Sequence, residues 1–353
     1  MTMRRGITVL FVLSAVAAVA VCAARTPAEP AVRRQADFLI MSTEARVVVY
    51  ADTAAHGDQA LAAALDRLLA IQKALNRYSA DSEISALKAA AGQQAVVIAE
   101  STARAIADGR RWWRETGGTF NPLVGSLVEV WKRAEKADRL PGDDELRQAM
   151  SLLDMNEIKL AEAAGRWTCR LPRAGMQLDL GGLAKGWAAD EALTEIRRRP
   201  GIRSALVVIG GDGACWSEAT WSRPWRFAVQ DPLHADQTAA YAELELTNEV
   251  VVTSGNYYRS YTIGGRKYHH ILDPRTGRPV ENAMVSVTVI HRDGAAADAL
   301  ATACVVLGTD EALALLERLP EAEGLILELR QGSLAARQTS GFARYVVPAG
   351  SGR

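Results

Sequence analysis

Aromatic residues are scarce, 6% of 353. Few rings are therefore present to stack on a base or a cofactor, and any tyrosine near a site gains weight. An excess of either charge is also missing, because lysine plus arginine equals aspartate plus glutamate at 41 each. A neutral chain has no general electrostatic footprint for nucleic acid. Cysteine is sparse: after Cys22 only Cys169, Cys215 and Cys304 remain. So few, so widely spaced, make no disulfide framework, and they are expected as small buried apolar residues. Beyond residue 36 there is no internal repeat, no low-complexity tract and no long linker. What the chain does have is apolar content, 49%, enough for a sizeable core.

Its first segment reads as an address rather than as part of the fold. Arg4 and Arg5 precede an apolar run from Ile7 to Val21, and small residues follow around Cys22, Ala23 and Ala24. That is the charge, core and small-residue order of an export signal. The run is shorter than the roughly 20 residues of a transmembrane helix, though an uncleaved anchor stays open. Val19-Ala20-Val21-Cys22 also resembles a lipoprotein signal, with Cys22 as the lipidated residue, so lipidation and ordinary cleavage are both open. Lipidation would hold the protein at a membrane surface, not across it. The expected organisation is a signal over residues 1–23, a linker over 24–36 carrying two prolines between Thr26 and Ala36, and one domain over 37–350. An exported, periplasmic protein follows, with an inner-membrane lipoprotein as the variant.

The β-branched run Ala45 to Ala51 predicts a strand. Leu61, Leu65, Leu68, Leu69 and Leu75 recur at helical spacing behind a possible Asp58 cap. A second helix is expected from Ser101 to the Gly117-Gly118 stop. Further on, strands are expected at 205–209, 226–230, 241–246, 250–253, 285–291 and 325–329, and helices at 184–198, 296–307 and 310–319. The two types mix without strict alternation. That predicts an α+β fold of layered sheets and helices in one compact, two-lobed domain.

Four constellations could carry chemistry. The first is Asp179-Leu180-Gly181-Gly182-Leu183-Ala184-Lys185-Gly186, which runs into a helix. Paired glycines let backbone approach a ligand, and a helix N-terminus attracts anions, with Lys185 placed for a phosphate. A tight turn with a solvated lysine explains it too. The second, Ile209 to Gly213, is a glycine turn at a strand end, a common place for a site or simply a turn. In the third, Asp298 and Thr302 stand four apart on one helical face among small apolar residues. A hard cation with oxygen ligands would answer the buried charge, and so would a helix cap or an ion pair. The fourth is Tyr268 to Gly277, where two of the five histidines precede an Asp-Pro turn. Phe120 to Gly125 and Val252 to Tyr257 are weaker and could be plain loops; Tyr78 could stack on a ring or be half buried.

Taken together these segments resemble the FAD:protein FMN transferases, the ApbE family, from about Met41 to about Leu319. The motifs stand in the family's order: MST at 41, RYSADSEIS at 77, GGTFNPLVG at 117, LDLGGLAKGWAAD at 178, VVIGGDG at 207, WRFAVQDP at 225, TSGNYYR at 253, YHHILDPRTGRPV at 268 and ADALATA at 297. The resemblance implies that FMN is moved from FAD to a threonine or serine hydroxyl of an acceptor protein, with release of AMP and help from Mg2+. It implies flavin and adenine contacts near Met41, Tyr78, Thr119, Phe120 and Asn121. Asp179 and Lys185 would meet ribose or phosphate, and Ile271 or Leu272 would line the flavin site. Magnesium would be held by Asp298, Thr302 and the Gly182 carbonyl, and His270, or a carboxylate near the metal, would take the proton. Acceptors would be membrane electron-transport subunits of the Rnf, Nqr or nitrous-oxide regulator type. Two departures stand out: Ser42 where the family usually has glycine, and Asn121 where it usually has aspartate. The same site would also serve an FAD pyrophosphatase, and a flavin-binding lipoprotein without catalysis is the third reading.

Overall fold

The computed structural model describes residues 31–221, 223–234, 239–255 and 260–348. The expected signal segment, Cys22 and Asn256 to Arg259 of the TSGNYYR motif lie outside the described residues. The chain opens with a hairpin, β1 (Val32–Ile40) and β2 (Thr43–Ala51), then helix α1 (Ala54–Leu75) and the short α2 (Glu83–Ala89). Strand β3 (Val96–Ile98) leads to α3 (Glu100–Glu115), α4 (Gly125–Lys136), α5 (Asp143–Met150), β4 (Lys159–Ala163) and β5 (Arg166–Arg170). Helix α6 (Ala184–Arg197) is followed by β6 (Ile202–Ile209), β7 (Asp212–Ser217), β8 (Trp225–Gln230), β9 (Ala240–Leu246) and β10 (Val250–Gly255). A second hairpin, β11 (Ser260–Ile263) and β12 (Arg266–His269), precedes β13 (Met284–His291) and α7 (Gly294–Leu307). Helix α8 (Thr309–Arg318), β14 (Glu323–Arg330) and β15 (Ser333–Gln338) complete the order.

Eight strands form the main sheet in the order β1-β2-β6-β7-β10-β13-β14-β15, every neighbouring pair antiparallel. Helices α1, α6 and α7 cover one face, and the β8–β9 hairpin covers the other. Alternation within the strands separates the two cores. Ala45, Val47 and Val49 of β2 join Ala205, Val207 and Ile209 of β6 beneath the helices. Val48, Leu206 and Val208 turn to Trp225, Phe227 and Leu244 of the hairpin. A sheet buried on both faces needs apolar residues at successive positions, which is why β6 reads as an unbroken run. The apolar cluster on the helix side runs without a break from Ile40 through Trp131 and Cys169 to Ile326. That cluster includes the small β3-β5-β4 sheet, so both parts share one core. The layered α+β expectation holds.

Two expectations change in detail. Strand β1 starts at Val32, inside the segment read as a linker, and pairs along β2 as the polar edge of the sheet. Thr53, not Asp58, caps α1 by accepting from the His56 amide at 3.2 Å, because it stands directly before the first turn. Asp58 instead meets Arg34. Cys169, Cys215 and Cys304 are free and buried, as expected.

Helix α7 positions the site. From Gly294 to Val306 its residues are buried except Thr302. A helix apolar all round belongs in a core, and here it carries one buried charge, Asp298, 2% exposed.

Candidate active site

The loop Asp179–Leu183 and the first turn of α6 close against α7. Asp298 Oδ2 accepts from the backbone amides of Lys185 at 3.2 Å and Gly186 at 3.1 Å. These amides belong to the unsatisfied first turn of α6, so a carboxylate from another helix supplies what a local cap would. One turn further along α7, Thr302 Oγ1 donates to the Gly182 carbonyl at 3.3 Å. Of the open readings of Asp298, this geometry meets the helix cap, with the Thr302 hydroxyl and the Gly182 carbonyl one turn away.

Glycine is required at two of these positions by packing. A Cβ on Gly182 would stand 2.8 Å from Thr302 Oγ1, and one on Gly186 would stand 2.5 Å from the Gly294 carbonyl. Larger residues would push the loop away from α7.

Lys185 extends along the same face. Its Nζ donates to Asp212 Oδ2 and lies 3.9 Å from Asp298 Oδ2. Asp212 opens β7 just after the Gly210-Gly211 turn, and is 1% exposed. Burial pushes its carboxyl up to about 6, with Lys185 pulling down and Asp298 pushing up. The Thr253 amide also favours its charged form, and its buried Oδ1 makes no well-formed hydrogen bond among the described residues.

Asp179 holds the near end of the loop. Its Oδ1 accepts from the Gly181 amide at 2.9 Å, and its backbone amide donates to the Pro122 carbonyl at 2.7 Å. Arg77 bonds its Oδ2 and reaches Glu129 at 3.1 Å. Burial opposes the Arg77 charge, yet Asp179 and Glu129 outweigh it and hold the guanidinium above the ordinary arginine pKa.

Of the other expected residues, Thr119, Phe120 and Asn121 are buried. Thr119 Oγ1 donates to Thr116 O, and Asn121 Nδ2 donates to Leu153 O while its Oδ1 accepts from the Leu123 amide. Their side chains are committed to the fold, so contacts from this loop fall to its backbone. Phe120 still packs on the Gly182 turn. Met41 and Ser42 turn the β1–β2 hairpin with φ of 51° and 63°. That left-handed pair explains why glycine suits position 42. The turn sits beside the second glycine bend, where the Gly210 amide donates to Glu44 O at 2.8 Å.

Tyr78 is 68% exposed, with Lys132 Nζ 4.5 Å from its ring centre. An exposed ring offers area for stacking, as the half-buried alternative does not. His270 follows β12, half-buried, its ring stacked on His269 at 4.9 Å. His269 Nδ1 accepts from the Ile271 amide, which leaves the proton on Nε2. Burial, then His270, lower its pKa to about 4, so it is neutral at neutral pH. Leu272 is buried in the core, leaving half-buried Ile271 as the one with surface to offer. The β11–β12 hairpin lies on the Arg77 side: burial first, then Asp179, raise the pKa of Tyr261 on β11.

Sequence reasoning left out Arg77 and Asp212 as site residues. Each had a signal: Arg77 stands in the RYSADSEIS motif, and Asp212 follows the paired glycines.

Comparison with known proteins points to one family. The ApbE family model matches residues 41–326. An FAD:protein FMN transferase of Treponema pallidum is 33% identical over 301 residues, 82% of this chain and 83% of that protein. Another, from Klebsiella pneumoniae, is 30% identical and covers 76% of this chain and 83% of its own length. In solved structures, the ApbE protein of Thermotoga maritima superposes with a TM-score of 0.75 at 26% identity, covering 90% of this chain and 100% of its own. The apo flavinyl transferase ApbE of Pseudomonas stutzeri shares the fold at a TM-score of 0.77 and 23% identity, covering 91% and 98%. With residues 41–326 matched and 83% of the Treponema pallidum relative covered at 33% identity, this chain belongs to the ApbE family.

Proposed function

We propose that this protein transfers the FMN half of FAD to a threonine or serine hydroxyl of an acceptor protein and releases AMP. The observation that carries the reading is the closure of the Gly182–Gly186 turn on Asp298 and Thr302, with the Lys185 ammonium alongside. A lysine ammonium at the start of α6 beside hard oxygen donors is the pairing that a dinucleotide pyrophosphate with its cation would use. The names of the relatives, FAD:protein FMN transferase, support the same activity.

Magnesium suits the residues present. Asp298, Thr302 Oγ1 and Gly182 O are hard oxygen donors gathered across one contact, and with Asp212 nearby two carboxylates face the one Lys185 ammonium. Among the described residues no three His, Cys, Asp or Glu side chains form a metal cluster, so the donor set mixes a carboxylate with a hydroxyl and a carbonyl. When bound, the ion supplies Lewis-acid neutralisation of pyrophosphate oxygens.

The chain's own residues do the rest. Lys185 neutralises charge developing on the leaving AMP phosphate. Asp179, anchored by Arg77, fixes the loop and meets ribose or phosphate, and Tyr78 stacks on a ring of FAD. The acceptor hydroxyl oxygen attacks the FMN phosphorus, the bond from that phosphorus to the AMP oxygen breaks, and His270 takes the hydroxyl proton. Incubation with FAD, Mg2+ and an acceptor domain should release AMP in step with FMN attachment. AMP released equally fast without acceptor would assign hydrolysis instead.

The acceptors, on this reading, are membrane electron-transport subunits of the Rnf, Nqr or nitrous-oxide regulator type that face the periplasm. Arg4, Arg5 and the run Ile7 to Val21 support export, and Cys22 supports a lipid anchor as the variant. No helix among the described residues is long and apolar enough to cross a membrane. Mass spectrometry of the mature N-terminus decides: an acylated Cys22 gives the lipoprotein, a free Ala23 or Ala24 the cleaved form.

A further inference from the structure

We propose that Asp212 is a positioning residue for the reaction: it holds the Lys185 ammonium beside Asp298, oriented in advance for the phosphates of the incoming dinucleotide. The inference rests on the reading of Lys185 as a phosphate contact.

The argument starts from an asymmetry. Asp212 is 1% exposed, whereas the Lys185 side chain is 35% exposed. A carboxylate sunk in the core thus grips an ammonium that solvent, and hence a ligand, can reach. A tie that served only to join β7 to α6 should satisfy both oxygens of the buried group, since buried polar atoms are nearly always paired. Here Oδ2 receives Lys185 Nζ, the Thr253 amide lies near enough to favour the charged carboxylate, and Oδ1 makes no well-formed hydrogen bond among the described residues. Such an acid weakens a fold relative to an apolar residue of the same size. The cost is understandable where a lysine must be held still. Its flexible four-carbon stem otherwise spreads the charge over many rotamers.

The second observation is the placement of the charge. Lys185 Nζ lies between Asp212 and Asp298, 3.9 Å from the latter. One ammonium against two carboxylates leaves the cluster short of positive charge. Burial pushes the Asp212 carboxyl up first, Lys185 pulls it down, and repulsion from Asp298 adds to the rise. The backbone fixes Asp212 from both sides: Gly210 takes φ of 63° in the turn before it, and the strand pairing of Val208 with Gly213 follows it.

A double-mutant cycle on the full protein tests this. FAD affinity is read by quenching of FAD fluorescence in chelator-treated protein, so the readout does not need metal or turnover. Lys185→Met should weaken FAD binding about tenfold, the size of one charge-assisted hydrogen bond, and Asp212→Asn about as much. The double variant should be no weaker than either single one. In transfer assays D212N should raise KM for FAD more than it lowers kcat. Its unfolding midpoint should equal or exceed the native one, because the swap removes a buried charge and keeps the shape. If D212N does not fold, Asp212→Ser takes its place in the cycle. Penalties that multiply to about a hundredfold in the double variant overturn the inference. So does D212N with native affinity while K185M is weakened, and in that case the phosphate role of Lys185 survives. Native affinity in K185M overturns both.

Discussion

A Cβ added to Gly186 would lie 2.5 Å from the Gly294 carbonyl oxygen, and one added to Gly294 would lie 2.2 Å from the Gly186 carbonyl oxygen. The first turns of α6 and α7 therefore touch backbone to backbone. That contact brings the Lys185 and Gly186 amides onto Asp298. Gly186→Ala should destabilise the protein by about 1–3 kcal/mol through overpacking. It should also lower FMN transfer by pushing Asp298 off the loop. Denaturant unfolding and the transfer rate check both; unchanged values in both would mean the contact does not position the site.

Asn121 differs from the aspartate that the family usually carries, and the structure gives its side chain two bonds. An aspartate would keep the one from the Leu123 amide and lose the one to the Leu153 carbonyl, having no N–H to donate. Asn121→Asp should cost about 1–3 kcal/mol, since the site is buried and a carbonyl is left facing a carboxylate. Urea unfolding measures it; a midpoint equal to the native one would show that the loop rearranges.

Asp190 makes stability depend on pH. Burial raises its carboxyl to about 6, with the Gly294 amide pulling down and Asp293 and Glu191 pushing up. A folded-state value above the unfolded one means stability is fully present below about 4 and lost as pH rises through 6. Above that, the buried charge costs about 3 kcal/mol. Asp190→Asn keeps an acceptor for the Gly294 amide, now bonded at 3.2 Å. It should therefore be more stable than the native protein at pH 8, with the gain gone near pH 4. An equal gain at both pH values would contradict the assignment.

Much of the fold was legible because the main sheet and its helices bury apolar faces at the periods of strand and helix. The expected strand at 205–209 became Ile202–Ile209, and the helix at 184–198 became Ala184–Arg197. What escaped was polar. Strands β1, β4 and β15 are largely exposed, so no alternation marks them. The β11–β12 hairpin is TI-GG-RK between tyrosines, which reads as a loop until α4 is seen beneath it, with Trp131 5.7 Å from Tyr268 ring to ring. In the site, the Asp298–Thr302 spacing and the glycine turn could be read from sequence, because each is local. The Lys185–Asp212 and Arg77–Asp179 pairs join residues far apart in sequence, and only tertiary packing brings them together. The Thr119–Asn121 side chains illustrate the opposite limit: the sequence marks the segment, while burial of its side chains depends on tertiary packing.

Thr302 separates metal binding from folding. Its hydroxyl makes one long bond, 3.3 Å to Gly182 O, and its side chain is half-buried. Thr302→Val should change stability by less than about 1 kcal/mol. It should raise the magnesium concentration needed for half-maximal transfer at least several-fold, and Thr302→Ser should restore the native requirement. Magnesium titration of the three proteins gives the answer, and identical curves would remove the hydroxyl from the proposed donor set.

The most direct test of the central claim is intact-mass analysis of an acceptor domain after incubation with FAD, Mg2+ and either the native protein or Asp298→Ala. The native protein should add one FMN per acceptor threonine, and the variant, folded by circular dichroism, should add none. Full labelling by Asp298→Ala at the native rate would show that the carboxylate on α7 is not part of the chemistry.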